Sequence, residues 1–140
     1  MLRRAAFLAI TAFFVTMNVL LWNSEFREQG DGTFVVGLRI QPKHANARGI
    51  AHGGILMTMC DIALGYRTTR SQTPNPMLTT ASVKTDFAGS AKIGDWVEAH
   101  VDVQKVGGRL AFSNCYLMVG DERIVHASAV FARTGDRPSS

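Results

Sequence analysis

Between Arg48 and Arg67 the chain carries one charged side chain, Asp61, in the middle of a strongly apolar segment. A carboxylate among apolar residues is costly unless it is paired or hydrogen-bonded. Asp61 is therefore either a structural partner for a distant arginine or backbone donor, or the working carboxylate of a site. The same segment begins with His52-Gly53-Gly54. Two glycines in a first helical turn are poor helix formers, but they let another group approach the backbone closely. The N–H groups at a helix N-terminus favour negative charge, and they can hold a carbonyl oxygen that becomes an oxyanion. The competing readings are structural: close packing for Gly53 and Gly54, and a cap or a hydrogen bond for His52.

Geometry links the two features. Asp61 follows His52 by nine residues, which is ~13.5 Å of axial rise and half a turn out of alignment. One helix cannot bring its own Gly53 amide and its own Asp61 to the same substrate atom. Two antiparallel copies can. If both features serve one reaction, the site is shared across a homodimer and occurs twice by symmetry.

The elements that position these residues follow from periodicity. Ile50 to Arg70 reads as a helix, with Ile55, Met59, Ile62 and Tyr66 at helical spacing and further apolar residues on its other faces. A helix apolar nearly all round is expected to be buried. The loop with Pro74 and Pro76 ends it. Before it, Val19–Arg27 and Phe34–Ile40 read as strands joined by a turn at residues 29–32. After it come four strands: Thr79–Phe87, Trp96–Gln104, Leu110–Met118 and Arg123–Arg133. Short glycine-containing links between them favour antiparallel neighbours. The expected class is α+β, with one antiparallel sheet wrapped around a long central helix.

Composition narrows the function classes. The chain has 140 residues, 46% hydrophobic and 19% charged, which fits a single folded domain. Fifteen Lys/Arg against eleven Asp/Glu leave a net charge of +4. The basic residues are scattered rather than clustered, so nucleic acid is not an expected partner; a small anionic ligand suits the surplus better. Cys60 and Cys115 lie in apolar stretches and read as small buried hydrophobes. No Cys/His spacing suits zinc. A reducing compartment is the default.

Ala5 to Trp22 is uncharged and follows Arg3-Arg4, like a signal peptide or a short membrane span. Thr11, Thr16 and Asn18 interrupt it, and no small-residue cleavage site follows. The reading adopted is an apolar segment over 1–18 forming a packed helix, a domain over 19–134, and a flexible tail over 135–140. Membrane association through residues 5–22 is the alternative.

The run Asn46-Ala-Arg-Gly49-Ile-Ala-His52-Gly53-Gly54-Ile-Leu-Met-Thr-Met-Cys-Asp61 resembles the hotdog-fold acyl-CoA thioesterases of the PaaI-like type, within the 4-hydroxybenzoyl-CoA thioesterase superfamily. Asp86-Phe87-Ala88-Gly89-Ser90-Ala91, Gly94-Asp95 and Gly107-Gly108-Arg109-Leu110-Ala111-Phe112 extend the likeness over about residues 30–133. The resemblance implies a hotdog fold and hydrolysis of an acyl- or aryl-acyl-CoA thioester. It implies that the N–H of Gly53, helped by Gly54, polarises the carbonyl. Asp61 of the other subunit acts as general base or nucleophile, Asn46 holds the carbonyl or the water, and His52 orders the loop. By the same resemblance, a strand hydroxyl assists the water. Counting back from Phe87 this is Thr80, but strict alternation groups Thr79 with Ala81, Val83, Thr85 and Phe87; Thr80 then requires a bulge or twist.

Coenzyme A is expected at Gly89, Ser90, Lys105, Gly107, Gly108 and Arg109. For Lys105 and Arg109 a solvated hairpin turn is the competing reading. Coenzyme A belongs to the substrate, so no separate cofactor and no metal is implied. The implied assembly is a homodimer, with a dimer of dimers as the larger option, in the cytoplasm. The alternative function is a non-catalytic acyl-CoA binding or sensing protein on the same fold. It would not need Asp61, Asn46 and His52 together.

Overall fold

The computed structural model describes residues 24–28 and 33–137. The apolar segment 1–18, the first residues of the expected strand from Val19, and the turn at 29–32 lie outside the described residues. Six strands form one antiparallel sheet: β1 (Ser24–Glu28), β2 (Phe34–Arg39), β3 (Pro76–Phe87), β4 (Trp96–Val106), β5 (Leu110–Val119) and β6 (Glu122–Asp136). Their order across the sheet is β1-β2-β4-β5-β6-β3. Among the described residues there is one α-helix, α1 (Gly53–Thr69), which packs against β2 through β6. This is the α+β architecture expected from the periodicity.

The helix starts later than Ile50. Ile50 bridges to Lys92, Ala51 bridges to Ala45, and His52 is extended at φ −63°, ψ 134°. Backbone pairing of these three residues with their neighbours competes with the first helical turn and wins. At the other end the Arg70 N–H bonds back to the Tyr66 carbonyl, and the Ser71 hydroxyl donates to the Thr68 carbonyl at 2.7 Å.

The helix is not buried all round. Leu56, Met59, Cys60, Ala63, Leu64 and Thr68 form the buried stripe against the sheet, at the i, i+3, i+4, i+7 spacing of one helix face. Full burial of Leu56, Met59 and Leu64 contributes about 1.5–3 kcal/mol each. The opposite stripe runs through Gly54, Met57, Asp61, Gly65 and Tyr66, and is exposed or half-buried. Ile55, Ile62 and Tyr66, expected to share a core stripe with Met59, are half-buried instead. Asp61 therefore stands on the open side of the helix.

The core between α1 and the sheet also holds Leu38, Val97, Leu117, Ile124 and Phe131. Cys60 and Cys115 face each other there as free thiols. The hydrogen-bonded Cys60 thiol, together with burial, pushes the Cys115 thiol up. A buried thiol pushed up in this way, as Cys115 is, stays protonated at neutral pH.

β6 runs two residues beyond the domain end expected at 134. Gly135 and Asp136 pair with Met77 and Pro76, and the Arg137 N–H donates to the Asn75 carbonyl at 3.0 Å. No helix among the described residues is long and apolar enough to cross a membrane.

Candidate active site

The local device that builds the site is a bulge in β3. Thr80 pairs with Phe131 of β6 and the next pair is Ser82 with Val130, so Ala81 is an extra residue. An inserted residue reverses the alternation on one side of it. Val83, Thr85 and Phe87 pair with Ala129, Ala127 and Val125, whose side chains are buried toward the helix. Thr80, paired with the buried Phe131, joins that same face. The Thr80 hydroxyl donates to Asp61 Oδ1 at 3.0 Å.

Asp61 and Thr80 line a cavity of about 310 Å³ beside the helix. Ile62, Gly65, Leu78 and Phe131 give it an apolar middle, and Tyr66, Arg70, Asn75 and Arg137 line it toward the helix C-terminus. Burial pushes the Tyr66 phenol above its ordinary value, against a smaller opposing pull from Arg70 and Arg67. It is a neutral O–H at physiological pH.

The helix N-terminus is built by the loop before it. The half-turn Pro42–His44 tucks in His44, which is 4% exposed. His44 Nδ1 accepts the Gln41 N–H at 3.1 Å, and its carbonyl accepts the His52 N–H at 2.8 Å. Gly49 turns the loop at φ +73°, a conformation that favours glycine. His52 is the N-cap, but its exposed side chain makes no capping hydrogen bond. The His52 carbonyl accepts from Ile55 and Leu56, whereas the N–H groups of Gly53 and Gly54 have no acceptor among the described residues. A Cβ on Gly53 would touch the Phe87 ring at 3.4 Å; one on Gly54 would meet nothing within 4 Å. Gly54 thus leaves open the approach to the amides.

Asn46 Oδ1 accepts the Arg48 N–H at 2.9 Å. This occupies its oxygen inside the loop and leaves the side-chain NH₂ as the donor that Asn46 can offer outward.

The structure joins Asp61 to Thr80. It gathers Asn46, His52, Gly53 and Gly54 at the helix start. It does not join these two groups within one chain, because the unbroken helix separates Gly53 and Asp61 by ~12 Å of rise. The expected coenzyme A segments are also split. Gly89 and Ser90 lie toward the helix start, since the next residue, Ala91, accepts the Ala51 N–H at 2.8 Å. Gly89 is closely packed as well, with a Cβ there falling 3.1 Å from Ile124 Cγ2.

Lys105, Gly107 and Arg109 line an open groove of about 440 Å³ with Leu110 and Phe112. Gly108 is exposed at the same turn but does not line it. Arg133 braces this hairpin, donating to the Gly107 carbonyl at 3.0 Å. The hairpin lies at the opposite end of the sheet from Gly89, by the pairing of Leu110 with Ala132 and of Phe87 with Val125.

Sequence reading missed His44, Arg70, Asn75 and Arg137. No periodicity or motif marks the last three, which meet only because β3, β6 and the helix end converge. Among the described residues there is no group of three or more His, Cys, Asp or Glu placed to hold a metal.

Comparison with known proteins adds to this geometry. The sequence profile of the thioesterase superfamily matches residues 48–126. PA0474 of Pseudomonas aeruginosa, provisionally named an esterase, is 42% identical over 105 residues, covering 75% of this chain and 78% of that protein. A hypothetical thioesterase of Streptococcus pneumoniae, solved with coenzyme A, superposes with a TM-score of 0.81 at 20% identity, covering 91% of this chain and 98% of that one. Zebrafish thioesterase superfamily member 2 gives 0.79 at 20% identity, over 88% and 94% of the two chains. A variant of the phenylacetic acid degradation protein PaaI from Thermus thermophilus gives 0.70 at 21%, over 84% and 97%. At such identities the structures establish the fold, while the profile and the Pseudomonas relative establish the family. An antiparallel sheet curled around the helix α1, with a carboxylate on the open face of that helix, is here the hotdog fold, and the chain belongs to the thioesterase superfamily as a thioester hydrolase.

Proposed function

We propose that the protein hydrolyses an acyl- or aryl-acyl-CoA thioester to the free acid and coenzyme A, in the cytoplasm, as a homodimer with two shared sites. The observation that carries this reading is the Asp61–Thr80 hydrogen bond at 3.0 Å, lining a cavity on the open face of the helix. The N–H groups of Gly53 and Gly54 from one chain hold the thioester oxygen as it gains negative charge, where the helix dipole favours it. Asn46 supplies a further donor through its NH₂, and the backbone of His52, whose N–H donates to the His44 carbonyl, ties the loop to the helix start. Asp61 of the other chain takes a proton from water as the water attacks the carbonyl carbon. The C–S bond then breaks, the thiolate leaves as coenzyme A and takes up the proton, and the acid is released. Direct attack by Asp61, giving an anhydride that water opens, yields the same products. Thr80 orients the carboxylate. Gly89 and Ser90 of one chain and Lys105, Gly107, Gly108 and Arg109 of the other border the coenzyme. The solved Streptococcus thioesterase with coenzyme A supports the choice of coenzyme.

Two features support the dimer. Gly53 and Asp61 cannot reach one atom within a chain. β3 is also a twelve-residue edge strand with Met77 46% and Phe87 51% exposed, and long open edges of this kind invite pairing.

Asp61→Asn tests the chemistry. Its kcat should fall about 10²–10⁴-fold with the circular dichroism spectrum unchanged; full activity would end this mechanism. Absence of turnover with any short, long or aromatic acyl-CoA would favour a binding role. Mixing Asp61→Asn subunits with Gly54→Leu subunits tests the sharing. A shared site predicts that hybrids regain one working site per dimer, whereas a site within one chain predicts no recovery.

A further inference from the structure

The cavity beside Asp61 is polar at both ends. Asp61 and Thr80 stand at one end, and Arg70, Arg137, Asn75 and Tyr66 line it toward the other. Nine residues of helix separate Asp61 from Arg70, a rise of ~13.5 Å. A carboxylate at the far end is therefore well separated from the Asp61 charge. Arg70 stacks over the Tyr66 ring at 5.3 Å, which fixes its direction. Arg137 is anchored through its backbone N–H to Asn75. Among the described residues neither guanidinium has a carboxylate partner, and the neighbouring Asp136 is held by Arg133 at 2.6 Å. A cavity of about 310 Å³ lies at the small end of the ~300–1,000 Å³ typical of ligand pockets, which suits a short acyl chain. A purely aliphatic tail would set its apolar end against two guanidinium groups that line the cavity.

From these observations, and resting on the proposed thioesterase reading, we propose that the acyl group ends in a carboxylate. The substrate class is then the coenzyme A monothioester of a short dicarboxylic acid, its free carboxylate held by Arg70 and Arg137. Arginine forks suit carboxylates through paired N–H donors, and Asn75 and Tyr66 add neutral donors beside them.

Non-hydrolysable thioethers test the inference independently of turnover. Binding of S-carboxypentyl-coenzyme A and S-hexyl-coenzyme A to the wild-type protein would be compared by calorimetry. The carboxylate-ended compound should bind about tenfold more tightly, as expected for a partly exposed charged hydrogen bond. In Arg70→Gln and Arg137→Gln the preference should fall toward unity, with partial recovery in the lysine variants. Equal binding of the two thioethers by the wild type would overturn the proposal whether or not the variants fold. Equal weakening of both compounds by the glutamine variants would overturn it too, because the arginines would then be reading the coenzyme phosphates. The hydrolysis assays with Asp61→Asn decide the thioesterase reading separately. Turnover of neutral esters combined with no carboxylate preference would refute the acyl assignment alone.

Discussion

Thr80→Val keeps a β-branched side chain of the same shape in β3 and removes the hydroxyl that donates to Asp61 Oδ1 at 3.0 Å. A hydrogen bond to a charged group is worth about 1.5–3 kcal/mol. Thr80 is exposed in the single chain, so water competes and the lower end applies, about 1.5 kcal/mol. At 1.36 kcal/mol per decade this is about a tenfold loss in rate. In the proposed mechanism Thr80 orients the carboxylate and does not grip the coenzyme, so the loss should appear in kcat rather than KM. Release of free thiol from an acyl-CoA, followed with a thiol-reactive dye, measures both constants. The decisive comparison is the double variant. If Thr80 acts through Asp61, then Asp61→Asn/Thr80→Val should be no slower than Asp61→Asn alone, since residues working as a unit are not additive. Losses that multiply across the two sites, or a Thr80→Val protein as fast as the wild type, would refute the reasoning.

Three further outcomes follow from the geometry. Gly54→Leu should leave stability unchanged or raise it by up to about 1 kcal/mol, because leucine is the better helix former and a Cβ there meets nothing within 4 Å; KM for the thioester should rise, and an unchanged KM would remove the helix N-terminus from the substrate's path. Thr68 donates to the Leu64 carbonyl at 2.6 Å and is hydrogen-bonded to Ser113, both hydroxyls being buried. Thr68→Val orphans Ser113 and should cost about 1–3 kcal/mol in urea unfolding, partly recovered by adding Ser113→Ala. The Tyr66 pKa is raised by burial, so the folded state keeps its proton to higher pH than the unfolded chain. That contribution is complete below about pH 10 and is lost as pH rises through the folded value. Melting temperatures of the wild type should therefore fall more steeply than those of Tyr66→Phe above about pH 10; parallel curves would refute the assignment.

Much of this protein is legible along the chain. The strands announce themselves by alternation, as in Val97, Ala99, Val101 and Val103 of β4, because one face meets the core and the other meets solvent. Asp61 stands out because a charge in an apolar helix demands a reason. Gly53-Gly54 stand out because two poor helix formers open that helix. The separation of Gly53 from Asp61 is arithmetic too, since a rigid 1.5 Å rise per residue keeps them ~12 Å apart along the helix.

Other features are properties of packing. Alternation alone points Thr80 away from the site, and only the bulge at Ala81, set by pairing with β6, turns it toward Asp61. Hydropathy makes the helix look buried on every side, but one sheet covers one face, and which face depends on side-chain fit rather than composition. Arg70, Asn75 and Arg137 come from a helix end, a loop and the residue after the last strand; no local period connects them. Local periodicity records what each segment must bury. Which segments share a cavity depends on contacts between residues distant in the chain, and those exist only once the sheet has closed around the helix.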